Sequence, residues 1–591
     1  IAGLKPVNPT AMTGFLDVEQ SLTGRRWIGP EAETLRLAEA LMQRADLSPG
    51  LAHILARRGV APEGVAGFLA PALRDLMPDP MGLRDMGQAV ERVLMALQRR
   101  EKIAIFADYD VDGGASAALL IDWLRALGHA ATLYIPDRID EGYGPNDAAM
   151  AALAKDHGLI ICVDCGTLSH GPIAAAKGAD VIVLDHHLAA SDLPDCVAVV
   201  NPNRQDEDGS LGHLCAAGVV FLTLVALNAR LRAEGKQAPD LIAALDLVAL
   251  ATVADVAPLI GVNRAFVRQG LKVMARRARA GLVALADVAR LDRPPTSYHL
   301  GYVLGPRVNA GGRIGAADLG ARLLATTDTA EAVALAQRLD TLNTDRREIE
   351  GQVRDAALAQ AEARGLEAPL VWAADDGWHP GVVGIVAARL KEATNRPAVV
   401  IGFEGDAGKG SGRSVSGVDL GASIQRLAAE GLIEKGGGHR MAAGLSLTRA
   451  QLEPAMARLA ELLDKQGSGA RGIADLRLDG VLMPAACRVE LIEQLEEAGP
   501  FGAAAPAPRF ALPGLRIRYT KPVGQGHLKL TLSDGATTID AICFDAVSNG
   551  LAAALTDHAG RALHVAGRIE VNHWNGRQSV QLRLEDAAWA E

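Results

Sequence analysis

Three aspartates, Asp108, Asp110 and Asp112, stand at alternate positions in "IAIFADYDVDGGASAALL", directly after five apolar residues and directly before two glycines. Like charges so close repel and raise one another's pKa, so the spacing calls for something positive among them. Two more apolar runs end on acids: "LIICVDCGT" delivers Asp164, and "VIVLDHH" delivers Asp185, His186 and His187. A fourth apolar segment, "LDLVALATVADVAPL", ends similarly on Asp255. Oxygen donors with one or two imidazoles suit Mn²⁺ or Mg²⁺ better than thiolate-seeking metals. Two such ions about 3.5–4 Å apart, bridged by one carboxylate, are the usual means of activating water against phosphorus. A lone Asp after a strand is more often a helix cap or turn former, and a His pair is commonly a surface feature. The recurrence at successive run ends is what points to a metal centre.

The elements that must position these groups follow from the alternation of short apolar runs with helical stretches beyond residue 100, the pattern of a parallel α/β sheet. Strands are expected at Ile103–Ala107, Thr132–Ile135, Leu159–Val163 and Val181–Leu184. In such sheets ligands bind at the carboxyl ends of the strands, so the acids would converge in one crevice. Residues 329–365 are rich in Ala, Leu, Gln and Glu and read as one connector helix. A second α/β block follows over 366–468, with strands near Leu370–Ala374 and Pro397–Ile401. Residues 469–591 alternate in short runs with turn residues, as in "HLKLTLSDG", and read as a small antiparallel barrel or sandwich. Residues 1–65 read as helical, leaving 66–328 to the first α/β domain.

The chain of 591 residues is 49% hydrophobic and 22% charged, an ordinary globular balance. Its longest uncharged apolar run, about Leu214 to Leu227, falls short of the ~20 residues of a membrane helix. Six cysteines make no disulfide framework, and Cys162 and Cys165 lie along an apparent strand without a second pair for zinc. A cytoplasmic setting is expected. The net charge of −10 argues against a generic polyanion binder, although ligating carboxylates carry charge that bound cations offset.

Phosphate-binding chemistry is visible elsewhere. Arg307 and Arg313 lie six residues apart, and a guanidinium fork binds oxygen pairs. "HPGVVGIVAARL", with His379, reads as a glycine-rich turn opening a helix, whose free N–H groups suit an anion. "GKGSGRS" contributes Lys409, Ser411 and Arg413 without the spacing of a Walker motif. "GGGH" supplies His439 behind a glycine run that ordinarily marks a turn. The β domain offers Tyr519, Phe544 and Trp574 with His527 and His573 for stacking, and Lys521, Lys529, Arg568 and Arg577 for phosphates.

"DYDVDG", "VDCGT", "DHH" followed by "VNPN", and "ATVADVAPL" resemble the DHH phosphoesterase superfamily. "LCAAGV", "GPRVNAGGRIG", "TLNTDRREIE", "WHPGVVGIVAARL" and "GGGHRMAAG" are similar to one branch of it, the RecJ family of single-stranded-DNA exonucleases. The resemblance spans roughly residues 70 to 591. It implies a parallel-sheet DHH domain, a DHH-associated substrate domain and a C-terminal OB-fold. It implies that Asp110, Asp112, Asp164, His186 and Asp255 hold two divalent cations, Mn²⁺ or Mg²⁺, with Asp164 as the bridge. His187 would face the scissile phosphate, and Asp108 and Asp185 would orient the ligands. Arg307, Asn309 and Arg313 would hold the substrate backbone, and Arg413 and His439 would contact it from the second domain. The activity implied is 5′ to 3′ digestion to 5′-mononucleotides in recombination and repair, with single-strand-binding protein and a repair helicase as partners. Two α/β domains around a long helix could trap a strand within one monomer, so a monomer is expected. A phosphodiesterase of tiny RNAs or cyclic dinucleotides is the nearest alternative, and such enzymes are typically shorter. A non-catalytic replication scaffold is the other, although here every expected ligand is present. One departure stands out: the family's "PFGxGNPxP" is "PFGAAAPAP" here, with Ala504 and Ala505 in place of Gly-Asn.

Overall fold

A computed structural model describes residues 14–590 except 138–140, 469–473 and 575–576. The chain divides into two compact units, one comprising Leu73–Ala470 with Gly502–Ala504, the other Ile1–Ala72 with Arg471–Phe501 and Ala505–Glu591.

The first unit is built on strands β1 (Ile103–Ala107), β2 (Ala131–Tyr134), β3 (Leu159–Val163), β4 (Asp180–Leu184) and β5 (Ala198–Val200). All pair in parallel, in the order β2-β1-β3-β4-β5. Every residue of β1 and β3 is buried, which is why both read as unbroken apolar runs rather than alternating ones. The connections leaving β1 and β3 run to opposite sides of the sheet, a topological switch point of the kind at whose carboxyl ends α/β sheets bind ligands. Helices α1 (Val111–Ala126), α2 (Ala216–Ala233) and α3 (Leu245–Ala254) pack together behind that edge. Helix α2, long and apolar enough to cross a membrane, has 72% of its length buried inside the fold. The segment ending on Asp255 is this buried helix α3 and not a strand like the other three. Its residues 245–252 are all buried, so no polar face betrays the helical period.

Helix α4 (Gly305–Ile314) packs on α5 (Thr329–Arg364), a continuous helix of 36 residues. Beyond it, β6 (Val371–Asp376) leads into α6 (Pro380–Thr394) and strands β7 (Ala398–Glu404), β8 (Ala407–Arg413), β9 (Lys435–His439) and β10 (Ala442–Thr448). Their order is β9-β10-β8-β7-β6, with only β6 and β7 parallel. The glycine run of "GGGH" forms edge strand β9 rather than a turn.

The second unit holds β11 (Phe510–Val523), β12 (His527–Ser533), β13 (Thr538–Cys543), β14 (Ala562–Trp574) and β15 (Arg577–Trp589). The order β11-β12-β13-β15-β14 is closed by pairing of β11 with β14, giving a five-stranded barrel. The N-terminal stretch belongs to this unit and is not wholly helical. Arg26–Ile28 pairs in parallel with Asp475–Arg477. The fully buried Trp27 donates its indole N–H to Asp586 Oδ2 at 3.0 Å, and Arg57 donates to Asp479 at 2.6 Å. Sequence periodicity cannot show partners so distant along the chain.

Candidate metal centre

At the end of β1, Asp110 caps α1, its Oδ1 accepting from the N–H groups of Asp112 (2.8 Å) and Gly113 (3.1 Å). A Cβ on Gly113 would lie 2.4 Å from the Asp108 carbonyl oxygen, so only glycine lets the turn close. The fully buried Asp112 carboxylate accepts from Ala216 N–H (2.6 Å) and Ala217 N–H (2.8 Å), the first turn of α2. A helix N-terminus favours the negative charge, yet burial pushes this carboxyl upward.

Asp164 follows β3 with φ of +60°, a left-handed conformation that side chains other than glycine rarely take. Its N–H is held by Leu184 O at 3.0 Å. Burial, then the charges of Asp112, Asp110, Asp108 and Asp185, push its carboxyl well up. Its Oδ1 is buried and accepts no hydrogen bond, lying 3.2 Å from His186 Nε2. Such an atom wants a cation.

After β4, Asp185 accepts from the Thr167 hydroxyl (2.6 Å), the Thr167 and His186 N–H groups (3.2 and 2.7 Å) and His187 Nδ1 (2.8 Å). Burial opposes its ionisation, but these bonds and the His187 charge outweigh it and hold the carboxyl below the usual range. Burial lowers His187 and its bond to Asp185 more than compensates, leaving it raised to about 9. The "VNPN" asparagines brace the same backbone: Asn201 donates to His187 O (2.8 Å) and Asn203 to His186 O (2.5 Å). Asp255, the residue closing α3, has its carboxyl pushed up to about 8 by burial and then by Asp112 and Asp110.

Three overlapping groups result, each with donor atoms within 4.8 Å of one another: Asp164, His186 and His187; Asp112, His186 and Asp255; Asp108, Asp110 and Asp164. All five residues expected as ligands fall within them, as do Asp108 and His187. Asp185 does not; it holds the His187 imidazole and the backbone N–H groups of both histidines. The donor set, carboxylate oxygens with imidazole and no thiolate, fits divalent cations of the Mn²⁺ and Mg²⁺ kind. Cys162 and Cys165 belong to none of these groups and are buried in the apolar core packed on the sheet.

The residues expected to hold phosphate are placed unevenly. Arg307 is anchored, donating from Nε to Asp340 (2.8 Å) and from Nη1 to Val303 O (2.7 Å). The Asn309 side-chain oxygen is spent on the Val111 N–H at 3.0 Å, so this residue supports the metal-binding turn rather than offering that acceptor to substrate. Arg313 donates to Gly381 O at 3.1 Å, tying α4 to the start of α6. His379 caps α6 through the Gly381 N–H at 3.0 Å. Lys409, Ser411 and Arg413 alternate along one face of β8. Register sets Lys409 beside Ser446 and Lys435, Ser411 beside Gly444 and Gly437, and Arg413 beside Ala442 and His439. The result is a flat glycine floor with cationic margins, and a cleft of about 490 Å³ lies over it between Pro380, Val383 and the sheet. Lys435 and Ser446 were not legible as site residues; only cross-strand register brings them to Lys409. Tyr143 was also missed, its hydroxyl 3.2 Å from His187 Nε2 and donating to Asp164 O at 3.1 Å. It stands in a loop with no periodic signal.

In the barrel, Tyr519 and Phe544 are exposed, and Arg583 lies over the Phe544 ring at 5.2 Å. His527 meets the same ring edge-on, and His573 lies 3.2 Å from Gln578. Lys521 is exposed and Lys529 pairs with Asp540 at 3.6 Å. Arg568 lies 2.8 Å from Glu585, a carboxylate that Arg509 engages as well at 2.6 Å. Trp574 ends β14, and its side chain and that of Arg577 lie outside the described residues.

Comparison with known proteins bears on the whole chain. Residues 102–252 match the DHH family N-terminal domain, 367–465 the DHHA1 domain and 478–586 the RecJ OB domain. The chain is 38% identical over 554 residues to the single-stranded-DNA-specific exonuclease RecJ of Dickeya dadantii, covering 90% of this chain and 95% of that protein. It is 33% identical to the Bacillus subtilis protein of that name, covering 94% of this chain and 70% of the other. The crystal structure of Thermus thermophilus RecJ with Mn²⁺ superposes with a TM-score of 0.79 at 28% identity, over 96% of this chain and 80% of that one. The same protein with Mg²⁺ gives 0.73, over 96% and 79%.

Proposed function

The chain belongs to the RecJ family of metal-dependent, single-stranded-DNA-specific exonucleases, and from that premise we propose that it digests single strands from the 5′ end, releasing 5′-mononucleotides. We further propose that two divalent cations, Mn²⁺ or Mg²⁺, are held by Asp110, Asp112, Asp164, His186 and Asp255. Bound there, they would polarise the phosphodiester and lower the pKa of water. The observation that carries this reading is Asp164 Oδ1, buried without a hydrogen bond and shared between donor groups. Asp185 fixes the His187 ring and the backbone of both histidines, and Tyr143 and His187 line the crevice beside Asp164. Arg307 offers positive charge toward a developing phosphorane, its orientation fixed by Val303 O and Asp340. The floor of β8 to β10 supports the strand's backbone. A cytoplasmic monomer acting in recombination and repair, with single-strand-binding protein and a helicase, completes the proposal.

The test is digestion of an oligonucleotide labelled separately at each end, with Mn²⁺, with Mg²⁺ and with chelator, beside Asp164→Ala. Release of the 5′ label as a mononucleotide, abolished by chelator and by the substitution, is the expected result. Prior loss of the 3′ label would overturn the polarity. Binding without cleavage under either metal would favour a scaffold.

A further inference from the structure

Just ahead of α4, Tyr298 and Tyr302 stand one helical turn apart with their rings stacked, centroids 5.1 Å apart and planes within 25°. Both are open to solvent, at 54% and 68% exposure. His299 meets Tyr298 edge-on at 5.9 Å and is itself fixed, its Nδ1 accepting the Thr296 N–H at 3.0 Å. The turn Leu300–Leu304 is π-helical, a geometry found frequently at functional sites.

The turn that carries this ring pair packs on helix α3, which ends at Asp255 of the metal cluster. A Cβ on Gly301 would lie 3.4 Å from Val253 Cγ1, and one on Gly305 3.3 Å from Ala254 Cβ. Those two positions close α3 and lead straight into Asp255. The same turn supplies the Val303 carbonyl that holds Arg307 at 2.7 Å. Val256 and Ile260, exposed at 69% and 46%, add apolar surface just past Asp255.

We propose that Tyr298 and Tyr302 form a stacking platform for unpaired nucleobases of the DNA strand, next to the metal crevice. The proposal rests on the single-strand exonuclease reading. Every base has a π face, so stacking on tyrosine is tolerant of sequence. The hydroxyls stay wet while the rings bind, which suits aromatics that must remain exposed in the free protein. A duplex hides its base faces, so the platform accepts only single strands and adds to their selection.

The full-length protein is compared with Tyr298→Ala/Tyr302→Ala and with Tyr298→Phe/Tyr302→Phe, each first checked for folding by circular dichroism. Hydrolysis with Mn²⁺ is followed on a 20-mer and on a 20-mer that is abasic beyond its three 5′-terminal nucleotides. Binding of both is read in parallel by 2-aminopurine fluorescence. The alanine pair should raise KM on the ordinary 20-mer by about ten-fold with little change in kcat. On the abasic strand it should match the wild type, and the phenylalanine pair should match the wild type throughout. An unchanged KM for the alanine pair would overturn the platform. So would an equal loss on the abasic strand, which would make the rings structural or a seat for another partner. If the wild type binds both strands and cuts neither, the exonuclease reading falls, and the fluorescence arm still decides the platform.

Discussion

The Asp185 carboxylate accepts hydrogen bonds from both the backbone N–H and the imidazole Nδ1 of His187, at 3.2 and 2.8 Å. A carboxylate can only accept, so Nδ1 carries the proton and Nε2 is left toward Tyr143 and the crevice. Replacing Asp185 with Asn removes the charge while keeping the shape. Mn²⁺ affinity should fall by about 10–100-fold, as is usual when a group that orients ligands is lost. Titration calorimetry of the folded variant checks this; unchanged affinity would remove Asp185 from the site's support.

The pH dependence of the metal-free protein has a definite sign. His187 is raised from 6.5 to about 9, so its stabilisation is complete below pH 6.5 and lost as pH rises through 9. Asp255 is raised from 3.8 to about 8, so stability is lost progressively between those values as the unfolded chain ionises first. Both effects lower stability across pH 6.5–8. A bound cation keeps the carboxylates ionised, so stabilisation by Mn²⁺ should grow over that window. Melting curves in chelator and in Mn²⁺ at several pH values test it; a gap that narrows as pH rises would contradict the assignment.

Asn309 and Val111 are joined by a bond of 3.0 Å across 198 positions of sequence. Asn309→Ala leaves a buried N–H unsatisfied, which costs about 1–3 kcal/mol. Because Val111 lies between Asp110 and Asp112, kcat should fall more than KM rises. Asn309→Asp keeps the acceptor and should recover most of the stability. If the alanine variant instead raises KM alone, Asn309 is a substrate contact after all.

Ala504 stands at φ of +55°, where the related motif carries glycine. A left-handed residue with a Cβ costs roughly 1–2 kcal/mol, part of which glycine returns to the unfolded chain as entropy. Ala504→Gly should therefore stabilise by about 0.5–1 kcal/mol in urea unfolding. A destabilised variant would mean that the alanine methyl makes contacts that outweigh the strain.

Much of the catalytic sheet was legible because parallel strands buried on both faces leave long apolar runs that stop abruptly at charged residues. Asp108, Asp164 and Asp185 are such stops. Helix α3 was harder because a helix buried on every side shows no period, so its apolar run resembled those of the strands. The glycines of β9 read as a turn because sequence shows their freedom but not the neighbours that pair with them. Asn309, Lys435 and Ser446 acquire their roles from register and packing, which no local pattern records. The stacked tyrosines lie outside any motif and became visible only as exposed rings on a turn tied to Arg307.

The pairing of Arg26–Ile28 with Asp475–Arg477 sets a condition on biosynthesis. That small sheet, and the buried bond from Trp27 to Asp586, join residues more than 400 positions apart, so neither can form until most of the chain has been translated. Domains usually fold in order as they leave the ribosome, but here the segment around Trp27 must wait for partners more than 400 residues further along the chain. The unit from Leu73 onward can fold in the interval, while the Trp27 side chain stays exposed to water. Assembly of the barrel unit thus follows translation of residues 475–586, and until then the segment around Trp27 is the stretch on which a chaperone would act.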